Sequence, residues 1–267
     1  GKIWAVAGFQ GTGSSSSPDS LRVLYSTNGG ITWVLYANVT LGGTDKINTG
    51  EIDCEIIENT TGDKFLHVVY GLRATGGTGR YFAGGLTLNI PAFAGTGYAF
   101  SWPGNDATLR YYMPRITSDN ASYPSNAWIY VAISFDSLGR NVQKLVRCTS
   151  PYTTTPTWTY KADKIYWGQG GVGEPQRKLF TDIAYFKNGA NDSIIVSYSG
   201  VPDSTKIFFS KMDISGISPS VAGQFIGFVG GSEADNFKYG AKLSSNGNDN
   251  GSILCVFNQA GVTEGVK

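Results

Sequence analysis

Glu51, Asp53 and Glu55 alternate along the run EIDCEIIE, so an extended chain here turns three carboxylates to one side. On a solvated edge such a row does nothing special. Lining a channel, it binds a cation or serves acid–base work on a sugar. Acids two residues apart on one strand stand about 7 Å apart and are not by themselves the opposed pair that glycoside hydrolysis needs. Asn246–Gly251 (NGNDNG) has the look of a calcium loop but lacks a distal bidentate Glu, and it reads as a plain turn. His67 is the single histidine and sits in an apolar run, the setting of a satisfied core group rather than a base. With three scattered cysteines it makes no Cys/His zinc site. Gly76–Gly79 and Gly168–Gly173 lie between strand-like runs, the wrong context for a phosphate loop. No catalytic residue, metal ligand set or cofactor is assigned from these residues.

The elements that must position these groups repeat. Five apolar, β-branched segments recur: Lys2–Phe9, Lys64–Gly71, Ala127–Ser134, Asp192–Ser199 and Gly251–Asn258. Their starts differ by 62, 63, 65 and 59 residues, the mark of one supersecondary unit used again and again. An Asn-, Asp- and Gly-rich turn precedes each of the last four: Glu58–Asp63, Ser118–Asn126, Lys187–Asp192 and Ser245–Gly251. Each unit therefore holds a hairpin, strand A followed by strand B. Strand B is apolar almost throughout, as a strand covered on both faces must be. A third strand is expected at Leu21–Ser26, Arg80–Gly85, Lys144–Thr149 and Lys206–Lys211. A fourth is expected at Trp33–Val39, Gly97–Trp102, Trp158–Ile165 and Gln224–Val229.

Four-stranded antiparallel units packed face on face give an all-β fold, a β-propeller with a repeat of about 62 residues. That period is longer than the ~40–45 of WD40 or the ~50 of kelch repeats. The units are 1–48, 49–108, 109–170, 171–232 and 233–267, forming one propeller whose first and last units are incomplete. Seventeen strands are expected on this count, the last unit stopping after its second. The expected chain is a segment of a longer polypeptide of six to eight blades, or one completed by a partner.

Composition limits the partners. Of 267 residues, 41% are hydrophobic, enough for a full core, and only 15% are charged, with formal net charge +1. No basic run points to nucleic acid, and no apolar stretch reaches the length of a membrane span. Cys54, Cys148 and Cys255 fall in three different units and read as free thiols. The sequons at Asn38, Asn59, Asn120, Asn191 and Asn250 add little, since a chain this rich in Ser and Thr yields about three by chance.

Ser26-Thr27-Asn28-Gly29-Gly30-Ile31-Thr32-Trp33 resembles the Asp-box, or BNR repeat, Ser-x-Asp-x-Gly-x-Thr-Trp, of sialidase-like propellers, with Asn28 in place of the usual Asp. Cys148–Trp158 and Ser210–Ser215 keep fragments of it. The resemblance implies a structural turn built by Ser26, Asn28, Gly29, Gly30, Thr32 and Trp33, away from any active site. Trp33 is expected to fold back against the sheet, and truncating it if buried costs about 3–5 kcal/mol. A sialidase also implies three arginines on a carboxylate, a Tyr–Glu pair and an acid/base Asp. Met113-Pro114-Arg115-Ile116 resembles the family's Arg-Ile segment without its following Pro, and Arg110 and Arg177 open neighbouring units. Arg110, Arg115, Arg177, Glu51, Asp53 and Glu55 are thus the candidates for a central mouth, and no Tyr–Glu pair stands out.

The leading expectation is a secreted or cell-surface, non-catalytic module for glycan or protein recognition or extracellular scaffolding. Neighbouring subunits covering open blade edges are the other expected partners. Tyr111, Tyr112, Tyr123, Tyr152, Tyr166, Trp102 and Trp167 suit sugar stacking or inter-blade packing. The alternative is a sialidase-type glycoside hydrolase or another polysaccharide-active propeller enzyme.

Overall fold

All five apolar segments are strands in the computed structural model. The structure describes residues 1–9, 20–40, 46–73, 81–90, 94–99, 110–137, 140–162, 177–189, 191–201, 206–214, 224–230, 238–245, 252–259 and 262–266. The first strands are β1 (Ile3–Phe9), β2 (Ser20–Ser26) and β3 (Val34–Thr40). Next come β4 (Lys46–Glu58), β5 (Lys64–Arg73), β6 (Tyr81–Asn89) and β7 (Ala94–Ala99). The third group is β8 (Arg110–Ser118), β9 (Ile129–Ser137), β10 (Arg140–Cys148) and β11 (Trp158–Ala162). The fourth is β12 (Arg177–Asn188), β13 (Asn191–Val201), β14 (Lys206–Asp213) and β15 (Gln224–Gly230), and the last is β16 (Lys238–Ser245), β17 (Ile253–Gln259) and β18 (Val262–Val266). Each group is one antiparallel sheet, with neighbours in chain order.

Two expectations about strands are corrected. The described residues hold eighteen strands, because β18 gives the last sheet a third member. Its sequence, VTEGV, is short and carries a glycine, so it leaves little strand signal. The fourth strand of the second sheet is β7, Ala94–Ala99, three residues ahead of the expected Gly97–Trp102. Ala and Gly dominate β7, and the aromatic run after it drew the pattern forward.

The sheets pack in sequence, β4 against β8, β8 against β12 and β12 against β16, with β1 beside β4. The apolar second strands explain how. Leu66, Val68 and Tyr70 of β5 pack with Leu21 and Val23 of β2. From the opposite face of β5, Phe65 and Val69 pack with Ile129, Val131 and Ile133 of β9. The alternate residues of β9, Tyr130 and Ala132, pack with Ile194 and Val196 of β13. Both faces of these strands are buried, so neither can alternate with polar residues. Each large aliphatic side chain removed from water stabilises by roughly 1.5–3 kcal/mol.

The Ser26–Trp33 turn closes on itself through side chains. Ser26 Oγ accepts the N–H groups of Gly30 (2.9 Å) and Asn28 (3.3 Å) and donates to Asn28 Oδ1 (2.9 Å). Asn28 Oδ1 accepts Thr32 N–H at 3.0 Å while its Nδ2 donates to Thr32 Oγ1 at 2.8 Å. Gly29 and Gly30 take φ of +74° and +92°, which a side chain resists. Trp33 lies over Gly30, but the residue is 42% exposed, so the expected burial is not found and its truncation costs well below the core range.

The first strands β4, β8, β12 and β16 pack in a row and jointly line one cavity, the channel of this fold. Each carries a register irregularity: between Ile47 and Ile52, Tyr112 and Arg115, Leu179 and Asp182, and Tyr239 and Lys242. A bulge bends and twists its strand and re-aims the residues that follow. Those residues build the site.

Candidate functional site

Asp53, Arg115, Asp182 and Lys242 follow the four irregularities closely and occupy matching positions around the channel. Their spacing of 62, 67 and 60 residues keeps the repeat. Their charges alternate: acid, base, acid, base. Asp182, 4% exposed, lies between the two bases, with Arg115 Nε at 3.8 Å and Lys242 Nζ at 3.5 Å from its Oδ1. Each acid also accepts a backbone N–H from the next first strand, Asp53 Oδ2 from Ile116 at 3.1 Å and Asp182 Oδ2 from Leu243 at 2.7 Å. Arg115 Nη1 donates to the carbonyl of Pro114 at 2.9 Å.

On the turn side of this ring lies a cavity of about 490 Å³, within the range of small-ligand sites. Asp53, Glu55, Thr117, Ser118, Asn120, Asp182, Lys242, Ser244 and Ser245 are among its lining residues. Burial dominates its electrostatics. It pushes Glu55 up to about 7, with nearby Asp53 adding to the shift and the hydroxyl of Ser118, which donates to Glu55 Oε1, opposing it. Burial also raises Asp182 to about 6, although Lys242, Arg115 and the Leu243 N–H pull the other way. Glu55 therefore keeps its proton to a higher pH than Asp182 does, the order of titration that a split between acid and base roles needs.

The mouth candidates divide. Asp53 and Glu55 line the cavity, while Arg115 reaches it only through Asp182, 3.8 Å from its Nε. Glu51 does not join them: it falls in the β4 irregularity, is 7% exposed, and lays its carboxylate over Gly71, where an added Cβ would overlap it. Arg110 and Arg177 are the first residues of β8 and β12, and their side chains lie outside the described residues. Asp182 and Lys242 were not singled out in the sequence. The 62-residue register carried from Asp53 reaches both within a few residues.

Two of the seven aromatic candidates have described side chains, and both are packed. Tyr123 lies against the core between the third and fourth sheets, and Tyr152 against Phe65 at 5.9 Å between ring centres. The side chains of Tyr111, Tyr112, Tyr166, Trp102 and Trp167, and the whole of Asn246–Gly251, lie outside the described residues. Asn59 and Asn120 are engaged. Asn59 Oδ1 accepts the N–H groups of Thr61 (3.0 Å) and Asp63 (2.8 Å), and Asn120 exchanges bonds with Glu58 N–H (3.1 Å) and C=O (3.0 Å) on the neighbouring sheet. Cys54, Cys148 and Cys255 are free thiols, and among the described residues no group of three or more His, Cys, Asp or Glu is placed to hold a metal.

No family model and no curated protein matches the sequence. Solved structures do. The Penicillium chrysogenum α-L-arabinanase complexed with arabinobiose superposes with a TM-score of 0.51 at 15% identity, over 91% of this chain and 64% of that one. The α-L-arabinofuranosidase of Fusarium graminearum, complexed with an iminosugar inhibitor, superposes with a TM-score of 0.57 at 14% identity, over 98% of this chain and 67% of that one. Both are β-propeller enzymes acting on glycans. This chain is a β-propeller. It spans about two thirds of the length of either enzyme, and at such identities the likeness is one of fold.

Polar bonds also join the blades. His67 is fully buried in β5, its Nε2 donating to the carbonyl of Pro151 in the next blade at 2.8 Å. Its Nδ1 therefore accepts from Thr87 Oγ1 at 2.9 Å, which assigns the neutral tautomer. Burial lowers its pKa to about 4. The unfolded chain, with its ordinary value near 6.5, binds the proton first, so stability falls as pH drops from about 6.5 through 4. The loss amounts to roughly 3 kcal/mol. Raised Glu55, Asp182 and Asp119 act oppositely, favouring the fold as pH drops through that range. A His67→Gln variant isolates the histidine: urea denaturation at pH 4.5 and 7 is expected to show a smaller acid loss than the parent.

Proposed function

We propose that this propeller binds an oligosaccharide in its channel and hydrolyses a glycosidic bond there. Glu55 serves as general acid, and Asp182 is the carboxylate that works against it. The supporting observation is a single one: two acids from different blades, β4 and β12, line one cavity with pKa values of about 7 and about 6. Neither strand alone supplies that opposition. Glu55 would protonate the leaving oxygen, held by Ser118. Asp182, kept ionised by Arg115, Lys242 and the Leu243 N–H, would activate water or attack the anomeric carbon. The fold likeness to two enzymes of arabinan and arabinofuranoside chemistry supports a glycan as the ligand.

The five sheets act as one body in this reading, since the cavity draws on four of them. A secreted or cell-surface setting accords with a surface polar through Ser, Thr and Asn more than through charge. The test is sugar release from arabinobiose and arabinohexaose between pH 5 and 8. The expected profile is a bell with limbs near 6 and 7, the acidic limb from Asp182 and the alkaline limb from Glu55. No release from either sugar, or a flat profile, would count against the reaction. A non-catalytic recognition module is the second reading, favoured by the three partners that already occupy Asp182. Arabinohexaose bound without product would support it.

A further inference from the structure

A second cavity, of about 970 Å³, lies between the first and second sheets at the end where β4 turns into β5. Two aromatic side chains of the first sheet line it, Trp4 from β1 and Tyr36 from β3. Tyr36 is the extra residue of the β2–β3 irregularity, since Ala37 stands opposite Val23 and Leu35 opposite Leu24. A bulge of this kind re-aims a side chain. The Tyr36 ring meets Trp4 edge on, with ring centres 5.1 Å apart and planes at 89°. Tyr25 braces the pair at 5.5 Å from Trp4 and 6.2 Å from Tyr36. Lys2 Nζ keeps to the Tyr25 ring at 4.4 Å and stands farther from Trp4, at 5.9 Å.

The rest of the lining is suited to an uncharged, amphipathic ligand. Ile56, Ile57 and Ile90 supply apolar surface. Glu58 and Lys64 form an ion pair with each other, so their charges cancel at the cavity edge. A sugar ring offers a C–H face to an aromatic side chain and hydroxyls to the polar groups around it. Concave sites with aromatic and aliphatic walls and a few fixed polar groups hold such ligands. Asn120 is one of those fixed groups, tied to the backbone of Glu58. Ile56 and Asn120 line the channel cavity as well, so the two cavities adjoin. A glycan too long for the channel cavity meets the aromatic groove beyond these two residues.

We propose that the groove between the first two blades is an accessory subsite. It seats the part of a neutral glycan chain that extends past the channel cavity, with a sugar ring stacked on Trp4 or Tyr36. The proposal rests on the channel being the glycan site and adds a preference for longer chains.

Titration calorimetry of the full chain with arabinobiose, arabinohexaose and choline tests it, in the Glu55→Gln background so that the sugars outlast the measurement. Arabinohexaose is expected to bind about tenfold more tightly than arabinobiose, the scale of a well-packed aromatic contact. Trp4→Leu keeps an apolar side chain against the core of the first two sheets. It is expected to bring the two sugars within about twofold of each other. If that variant does not fold by circular dichroism, Tyr36→Ser on the outer strand β3 replaces it with the same expectation. Equal affinity for both sugars before either substitution, a preference that survives the substitution, or an equal weakening of both sugars overturns the subsite. So does choline bound more tightly than arabinohexaose and lost with Trp4→Leu, which marks the rings as a cage for a cation. Cleavage of arabinobiose by the parent chain, with no preference for the longer sugar, would sink this inference and leave the hydrolase intact. A Trp4-dependent preference for arabinohexaose without cleavage of either sugar would do the reverse. Binding of neither sugar removes both.

Discussion

Glu55→Gln lowers turnover of a cleaved arabino-oligosaccharide by about 10²–10⁴-fold, the usual worth of a positioned general acid. The amide has the shape of the protonated acid and still accepts the Ser118 hydroxyl, so the cavity keeps its form. It cannot give up a proton. Since burial holds Glu55 near 7, the parent side chain is already largely neutral at pH 6.5, and stability should move by less than about 1 kcal/mol. Steady-state kinetics and urea denaturation on the same preparation check both halves. The alkaline limb of the pH profile should vanish with the carboxyl. A variant retaining more than a tenth of parental turnover would remove Glu55 from the role.

Asp182→Ala destabilises the fold by about 3–5 kcal/mol, because it strands a buried guanidinium. Arg115 loses its counter-charge, and Leu243 N–H loses its acceptor. Lys242, with 57% of its side chain exposed, simply turns to water and adds little. The raised pKa of Asp182 is consistent with this. Burial costs its carboxylate more than its partners return, so the ion pair as a whole is a weak net stabiliser, while half of it is worse than none. An Arg115→Met, Asp182→Leu double variant should therefore recover most of the loss. Guanidinium denaturation of Arg115→Met, Asp182→Leu and the double closes the cycle. If the double variant is as unstable as the sum of the singles, the pair is not coupled and the ring is incidental.

Much of the fold was legible because burial on both faces leaves a plain trace. The run FLHVVY in β5 has no polar alternation, since Leu66 and Val68 face one blade while Phe65 and Val69 face another. The Ser26–Trp33 turn was legible because its bonds are local, spanning two to four residues. Trp33 was misread because burial belongs to the neighbours of a side chain and not to its type. The strand β18 was missed since short Gly- and Thr-containing edges gain order from pairing rather than from propensity.

The site divides along the same line. Sequence by itself determined the repeat, the all-β class and the placing of Glu51, Asp53 and Glu55 on one strand, all of which are patterns along a single unit. Only the tertiary structure decided which of them meet. The bulges in four separate strands re-aim Asp53, Arg115, Asp182 and Lys242 into one ring and turn Glu51 out of it. The acid facing Glu55 comes from 127 residues downstream, and its altered pKa arises from burial that no local pattern encodes. Periodicity is a property of one strand at a time; the opposition of charges across a channel is a property of four strands brought together.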